Sequence, residues 1–453
     1  MTIGFKTTSF SMACAVLTAT TSLFASAVAN AGAPGCGDDH WVSNWSASPT
    51  NAIGGVEAVA AGMAVSPVGT GLSTNQTHRV VVTPHRGGEH VRLHLSNRFG
   101  SEPVTFTRVT IARQKDGAAV EPESVQEVRF DGGRESITAA PGSDVVTDPV
   151  PIAFSAFEPL AVSIYVDRAP SAVTGHDLGN ATSFLTTPGL GDHSSDTGAD
   201  AFARATTRVS FVSQMDVLAP ADTATVVAFG DSITDGHVGN DPLGAPRIEG
   251  VVDKNVRYPD FLQRRFDEVG REVVVTNAGI GGNRLTRDTP SEFPKFGPSG
   301  VARAQADVID QAGVSDVIVL MGINDIGTPI GVTYEEVVVG YTNLIDQFHS
   351  AGLRVHLGTL LPASNSVTHG ALSIPPAEPV RARINAWIRS QHLSDSVVDF
   401  DAALRDPGNH SILDRRYAST DNLHPNPDGY KAMAAAVDTA RLAGNRCSAG
   451  AAR

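Results

Sequence analysis

The stretch "TATVVAFGDSITDGHVGN", residues 223–240, decides the fold. Thr225 to Phe229 form a short apolar run suited to a strand buried on both faces, and Gly230-Asp231-Ser232 breaks it. In an open α/β sheet, ligands bind at the carboxyl ends of the strands. A serine delivered there is either a reactive group or the cap of the next helix, because Asp and Ser both favour caps. The chain downstream bears on that choice.

From this strand onward, strand and helix alternate. Further strands are predicted at 272–276, 316–321, 354–359 and 396–400. Helices are predicted over 258–270, 300–313, 333–352, 378–392 and 426–444. Such alternation argues for a parallel sheet covered on both faces. Upstream, residues 40–215 follow a different rhythm. "HVRLHLS" alternates Val91, Leu93 and Leu95 inward with Arg92, His94 and Ser96 outward, and similar short runs recur between turn residues. This predicts an all-β sandwich or jelly-roll-like domain over 36–218, followed by an α/β domain over 222–447. In "HRGGEH", His85 to His90, the Gly87-Gly88 pair suits a hairpin turn between two strands, and the histidines lack the spacing of a helical zinc motif.

The 453 residues carry 48 acidic and 34 basic side chains, a formal charge of −14. That field repels phosphate backbones and no Lys/Arg-rich run counters it, so nucleic acid is not an expected partner. Residues 1–31 read as an export signal: Lys6, then an apolar run, then small residues ending in Ala29-x-Ala31. No other apolar run is long enough to span a bilayer. A secreted or extracytoplasmic protein without a transmembrane segment is expected, and the sequence is silent on oligomeric state. Cys14 would leave with the signal. Cys36 and Cys447 remain, and in an oxidising compartment they are expected to form a disulfide.

The loops leaving the predicted parallel strands share one rim. They offer Ser232, backbone amides around Gly282 in "NAGIGGN", Asn324 in "GIND", and Asp421 with His424 in "DNLH". A serine hydroxyl needs a histidine to take its proton, and that imidazole needs an acceptor on its other nitrogen. The tetrahedral intermediate then needs donors for its oxyanion, which a glycine backbone N–H and an Asn side chain can supply. No G-x-S-x-G elbow occurs, so this is a different scaffold for the same chemistry. Each piece also has a purely structural reading as a cap, a tight turn or a loop hydrogen bond.

Together, in this order, "GDSIT", "NAGIGGN", "GIND" and "DNLH" resemble the four blocks of the SGNH hydrolases, also called GDSL esterases/lipases. The resemblance spans roughly 224–443, and Ile233 replaces the Leu of the name motif. It implies a flavodoxin-like three-layer α/β/α fold, with Ser232 as nucleophile, His424 as base and Asp421 orienting it. The N–H groups of Ser232 and Gly282 and the Asn324 side chain would form the oxyanion hole, with no metal and no cofactor. The expected function is a carboxylic-ester hydrolase for short-acyl, aryl or lipid esters. The alternatives are a carbohydrate O-acetylesterase and, from another class, an inactive surface-binding module. Only three tryptophans and 6% aromatic content make a broad sugar-stacking platform less evident.

Overall fold

The computed structural model describes residues 38–51, 74–168, 173–289, 293–327, 331–374 and 376–442. The predicted signal, Cys36 and Cys447 lie outside the described residues. Among the described residues no helix is long and apolar enough to cross a membrane.

The strand opening the decisive stretch runs Ala224–Gly230, buried throughout. It lies inside a five-stranded sheet with Val273–Gly279 on one side and Val314–Leu320 on the other, followed by Arg354–Gly358 and Ser396–Val398. Every pairing in it is parallel. In chain order the strands lie 2-1-3-4-5, so the order reverses beside the first strand, and Ser232 follows that strand. The connecting helices pack in two groups. Tyr258–Glu268 and Phe400–Leu404 pack against Pro427–Ala436, and Tyr334–Ser350 packs against Gly300–Ala304 and Ala377–Ser390.

The last helix is shorter than the expected 426–444, ending at Ala436. Arg265 donates to the carbonyls of Ala434 and Val437, and Arg271 to those of Thr439 and Leu442. These two guanidinium groups, one from the helix Tyr258–Glu268 and one from the loop after it, compete for carbonyls that a further helical turn would use. The expected helix over 300–313 is likewise interrupted, becoming a π-turn at Gln305–Ile309.

Upstream of Ala224 the described strands pair antiparallel. One sheet includes His40–Ser46, Val212–Ala219 and Gly88–Ser96; a second includes Gln76–Val82, Leu160–Val166 and Arg108–Asp116; two smaller ones accompany them. Val42, Leu93 and Val217 from the first and Val80, Val162 and Ile111 from the second share one hydrophobic core. Two details differ from expectation. Ser96 is buried, because its N–H donates to the Phe211 carbonyl and its hydroxyl accepts from the Arg98 N–H. The segment around Gly87-Gly88 is not a hairpin turn, since its flanking strands enter different sheets. His85 explains the crossing. Its backbone N–H donates to Asn44, and its ring is fixed against the α/β region by the Val275 carbonyl and Asp260.

That contact belongs to a wider seam. Val273–Gly279 is an edge strand of the parallel sheet, and exposed edges invite unwanted pairing. Here its outer groups are occupied. Gln263 donates to Val273 O and accepts from Val275 N; His85 bonds Val275 O, and Ser46 Oγ donates to Asn277 O. Val274 from the same strand packs in the core of the β region. The antiparallel region therefore covers the open edge beside the first strand.

Candidate active site

Asp231, not Ser232, caps the short helix Ser232–Asp235. Its Oδ1 accepts from the Ile233 N–H at 3.0 Å, and Gly236 ends the helix in the left-handed conformation. The capping alternative for the serine is thereby removed, since Ser232 is the first helical residue. Its Oγ lies 2.8 Å from His424 Nε2. His424 Nδ1 lies 2.6 Å from Asp421 Oδ2. Asp421 Oδ1 accepts three further bonds, from Ser419 Oγ and the N–H groups of Leu423 and His424. Burial alone would raise the Asp421 carboxyl, but the His424 hydrogen bond and charge, with those two N–H groups, hold it well below the usual carboxylate range. An ionised carboxylate only accepts, so Nδ1 carries the proton and Nε2 faces the serine hydroxyl as an acceptor. Such a series can take a hydroxyl proton as the oxygen attacks a carbonyl.

Two further histidines stand near His424. His237 packs its ring 4.4 Å from that of His424 and donates from Nε2 to the Gly244 carbonyl. Burial, and then the nearby His424 charge, lower His237 to about 3. His369 is lowered to about 4 for the same reasons in the same order. Both neighbours thus stay neutral at ordinary pH. His237, Asp421 and His424 could jointly approach a metal ion, but His424 engages both ring nitrogens with Asp421 and Ser232, so a cation would compete with that series.

Gly282 sits in the loop after Val273–Gly279 with φ +73°, and a Cβ there would lie 2.5 Å from the Phe296 ring. Only glycine fits this position. Among the described residues no acceptor engages its N–H. Asn324, in the helix Ile323–Ile326, donates from Nδ2 to the Asn283 carbonyl at 2.9 Å, which brings its amide to the same loop. The next residue, Asp325, accepts from Leu285 N, Thr286 N and Thr286 Oγ1. "GIND" and "NAGIGGN" are thereby joined. Ser232, Gly282, Asn324, Asp421 and His424 all border one rim.

Several residues with a bearing on this geometry were not singled out in the sequence. Arg303, buried, donates to Gly230 O at 2.7 Å, Ala278 O at 2.9 Å and Asn283 Oδ1 at 2.9 Å. It fixes the end of the serine strand and both flanks of the glycine loop. Asp307 and Ser48 hold it in turn. Phe293, exposed, stacks on Phe296 at 6.0 Å and 13°, beside Gly282. Arg303 in a helical run and Phe293 in a Pro-rich loop carry no motif; only their position reveals them.

Several solved structures are similar to part of the chain. A putative lipolytic protein of the G-D-S-L family from Desulfitobacterium hafniense is 19% identical and covers 47% of this chain and 97% of its own, with TM-score 0.33. A carbohydrate acetylesterase from Sinorhizobium meliloti is 14% identical, covering 47% and 95%, with TM-score 0.38. The native M. smegmatis aryl esterase is 18% identical, covering 47% and 96%, with TM-score 0.38. No curated protein matches the chain. Residues 228–432 match the model of the GDSL-like Lipase/Acylhydrolase family, and that span holds Ser232, Gly282, Asn324, Asp421 and His424. The parallel-sheet half of the chain is thus similar to this GDSL-like (SGNH) family, and the protein is a carboxylic-ester hydrolase.

Proposed function

We propose that the protein is an exported serine esterase in which Ser232, His424 and Asp421 act as a triad on aryl, short-acyl or lipid esters. Ser232 Oγ attacks the ester carbonyl while His424 Nε2 takes its proton. The resulting oxyanion is bound by the N–H groups of Ser232 and Gly282 and by Asn324 Nδ2. Collapse of the intermediate breaks the ester C–O bond, and the imidazolium returns its proton to the departing alkoxide. Water then attacks the acyl-enzyme with His424 again as base, releasing the acid and free Ser232. Asp421 holds the ring and offsets the imidazolium charge without itself being protonated.

The observation that carries this reading is the unbroken series Ser232 Oγ–His424–Asp421, with separations of 2.8 and 2.6 Å. The Phe293–Phe296 stack beside Gly282 offers an apolar surface to an acyl or aryl group. Export rests on the N-terminal signal pattern. Ser232→Ala should abolish hydrolysis of 4-nitrophenyl acetate with an unchanged circular dichroism spectrum, and substantial residual turnover would place the chemistry elsewhere. A panel of nitrophenyl esters of rising chain length, a lysophospholipid and acetylated xylan tests the substrate class. Preference for the xylan would overturn the apolar reading.

A further inference from the structure

The antiparallel region reaches the glycine loop through one buried histidine. His176 lies on the short strand Thr174–His176, which pairs with Thr50–Asn51 and Val209–Ser210. Its Nδ1 is 2.9 Å from the Ser48 carbonyl, and its Nε2 is 3.0 Å from Asp235 Oδ1. Asp235 is the last residue of the helix that begins at Ser232. The other oxygen of the same carboxylate, Oδ2, accepts the Gly281 N–H at 3.0 Å. Gly281 immediately precedes Gly282, whose N–H is assigned above to the oxyanion. One series of bonds therefore runs from Ser48 through His176 and Asp235 into the peptide chain that aims that donor.

The pairing leaves little freedom. The Ser48 carbonyl only accepts, and so does an ionised Asp235, so His176 satisfies both when its two nitrogens carry protons. Burial by itself would lower His176, but the Asp235 charge and hydrogen bond, with the Ser48 carbonyl, hold it above the ordinary histidine value. Both side chains are almost wholly shielded from water. Removing one partner of a buried pair leaves the other charge unmatched, and an unmatched carboxylate moves or takes up a proton. Either response would release Gly281. The fit is tight on the other side too, because a Cβ on Gly279 would lie 2.2 Å from Asp235 N.

We propose that His176 is a positioning residue for ester hydrolysis: it fixes the Asp235 carboxylate so that Asp235 holds Gly281, and hence aims the Gly282 N–H at the oxyanion. This rests on the reading of the site given above. It gives the antiparallel region a part in turnover without any contact with substrate. The effect should fall on kcat, because the oxyanion donor acts in the transition state, and should leave KM nearly unchanged.

Two substitutions separate positioning from mere packing. His176→Gln places an amide N–H near the former Nε2 and keeps the bond to Asp235 while losing that to Ser48. His176→Asn places its amide near the former Nδ1 and does the reverse. Both should lower the melting temperature. The expected result is that His176→Asn lowers kcat at least about tenfold, short of the 10²–10³ for a donor removed outright, with KM within about twofold. His176→Gln should retain most of kcat. Activity is normalised to the fraction of Ser232 titrated by a fluorophosphonate, so unfolded protein does not count. Amide hydrogen exchange of the peptide spanning 277–285, read by mass spectrometry, should be faster in His176→Asn than in His176→Gln. Equal kcat in the two variants, or a loss of kcat with unchanged exchange in 277–285, would overturn the proposal. Faster exchange confined to His176→Asn, in a protein whose wild type hydrolyses no ester, would uphold the positioning of the loop and overturn the esterase reading instead.

Discussion

Asp421→Asn is the sharpest perturbation of this site, because the structure dictates how the new side chain must sit. Asp421 Oδ1 accepts from the N–H groups of Leu423 and His424 and from Ser419 Oγ, while Oδ2 alone meets His424 Nδ1. An asparagine must therefore keep its carbonyl oxygen at the Oδ1 position, where two backbone donors point. Its NH2 group then faces Nδ1, and a donor there forces the ring into the tautomer protonated at Nε2. That nitrogen can no longer accept the Ser232 proton. Wrong-tautomer substitutions in serine proteases lower kcat by roughly 10⁴, equivalent to about 5 kcal/mol of transition-state stabilisation. The fold should be little affected, since three of the four acceptor bonds survive. The assay is steady-state hydrolysis of 4-nitrophenyl acetate with thermal melts on the same samples. A loss in kcat of less than about tenfold with an unchanged melt would refute the argument that Asp421 sets the His424 tautomer.

Other outcomes follow from the same geometry. Asn324→Ala should lower kcat by about 10²–10³, the usual cost of one oxyanion donor; a change confined to KM would assign Asn324 to substrate binding instead. Asp231 is fully buried with Oδ2 unpartnered among the described residues, and burial pushes its carboxyl up to about 7. Its unfolded value is about 3.9, so between these limits the folded chain holds a proton that the unfolded chain has lost. Stability from this group is therefore present at low pH and declines as pH rises toward 7, by on the order of a few kcal/mol. Asp231→Asn keeps the cap and should flatten that part of a plot of denaturation midpoint against pH; an unaltered slope contradicts the assignment. Cys36 and Cys447 are proposed to be bonded. His40 bonds Thr223 O, Ala224 N bonds Glu272 O and Arg271 bonds Leu442 O, so the described ends of the chain converge on one edge. A non-reduced digest should yield the linked peptide pair, and two free-thiol peptides would exclude the bridge.

How much of this was legible in the sequence depended on whether the signal was local. The strands Ala224–Gly230 and Val273–Gly279 carry long apolar runs because they are buried throughout, and the loops after the parallel strands bear polar residues that packing alone would not place there. Ser232, Gly282, Asn324, Asp421 and His424 lie in short blocks whose residue types follow from acyl transfer itself. The relation of Gly87-Gly88 to its neighbours was misjudged because alternation shows that a strand exists but not which sheet it joins. That choice was made by His85, through Val275 and Asp260 far away in sequence. Arg303, His176 and Asp235 were invisible for a similar reason. A buried Arg that binds three carbonyls, or a His wedged between a carbonyl and a carboxylate, is an ordinary polar residue until its surroundings are known. The early end of the last helix depends on Arg265 in another helix and Arg271 in the loop after it, and local propensity has no access to that competition.

The seam between the two regions leads to a final expectation, about whether the α/β half can stand alone. Cutting the chain to residues 222–447 would remove Ser46 and His85 from the carbonyls of Asn277 and Val275 and leave a hydrogen-bonding edge open. It would expose Val274, whose burial contributes about 1.5–3 kcal/mol. It would also take His85 from Asp260 and His176 from Asp235, leaving two carboxylates that are buried in the whole chain short of a partner. Asp260 would still keep Arg257, whereas among the described residues the one hydrogen-bond donor left to the Asp235 carboxylate would be the Gly281 N–H. The losses fall on the strand Val273–Gly279, on the helix Tyr258–Glu268 that packs on it, and on the short helix that begins at Ser232, so they should act together. The truncated chain should aggregate or melt well below the full-length protein, and any soluble fraction should hydrolyse 4-nitrophenyl acetate with reduced kcat. Size-exclusion chromatography, a melt and an active-site titration on one preparation decide the matter. A monomeric 222–447 fragment with the full-length melting temperature and kcat would mean that the antiparallel region is a dispensable appendage, and that the bonds crossing the seam contribute neither stability nor alignment.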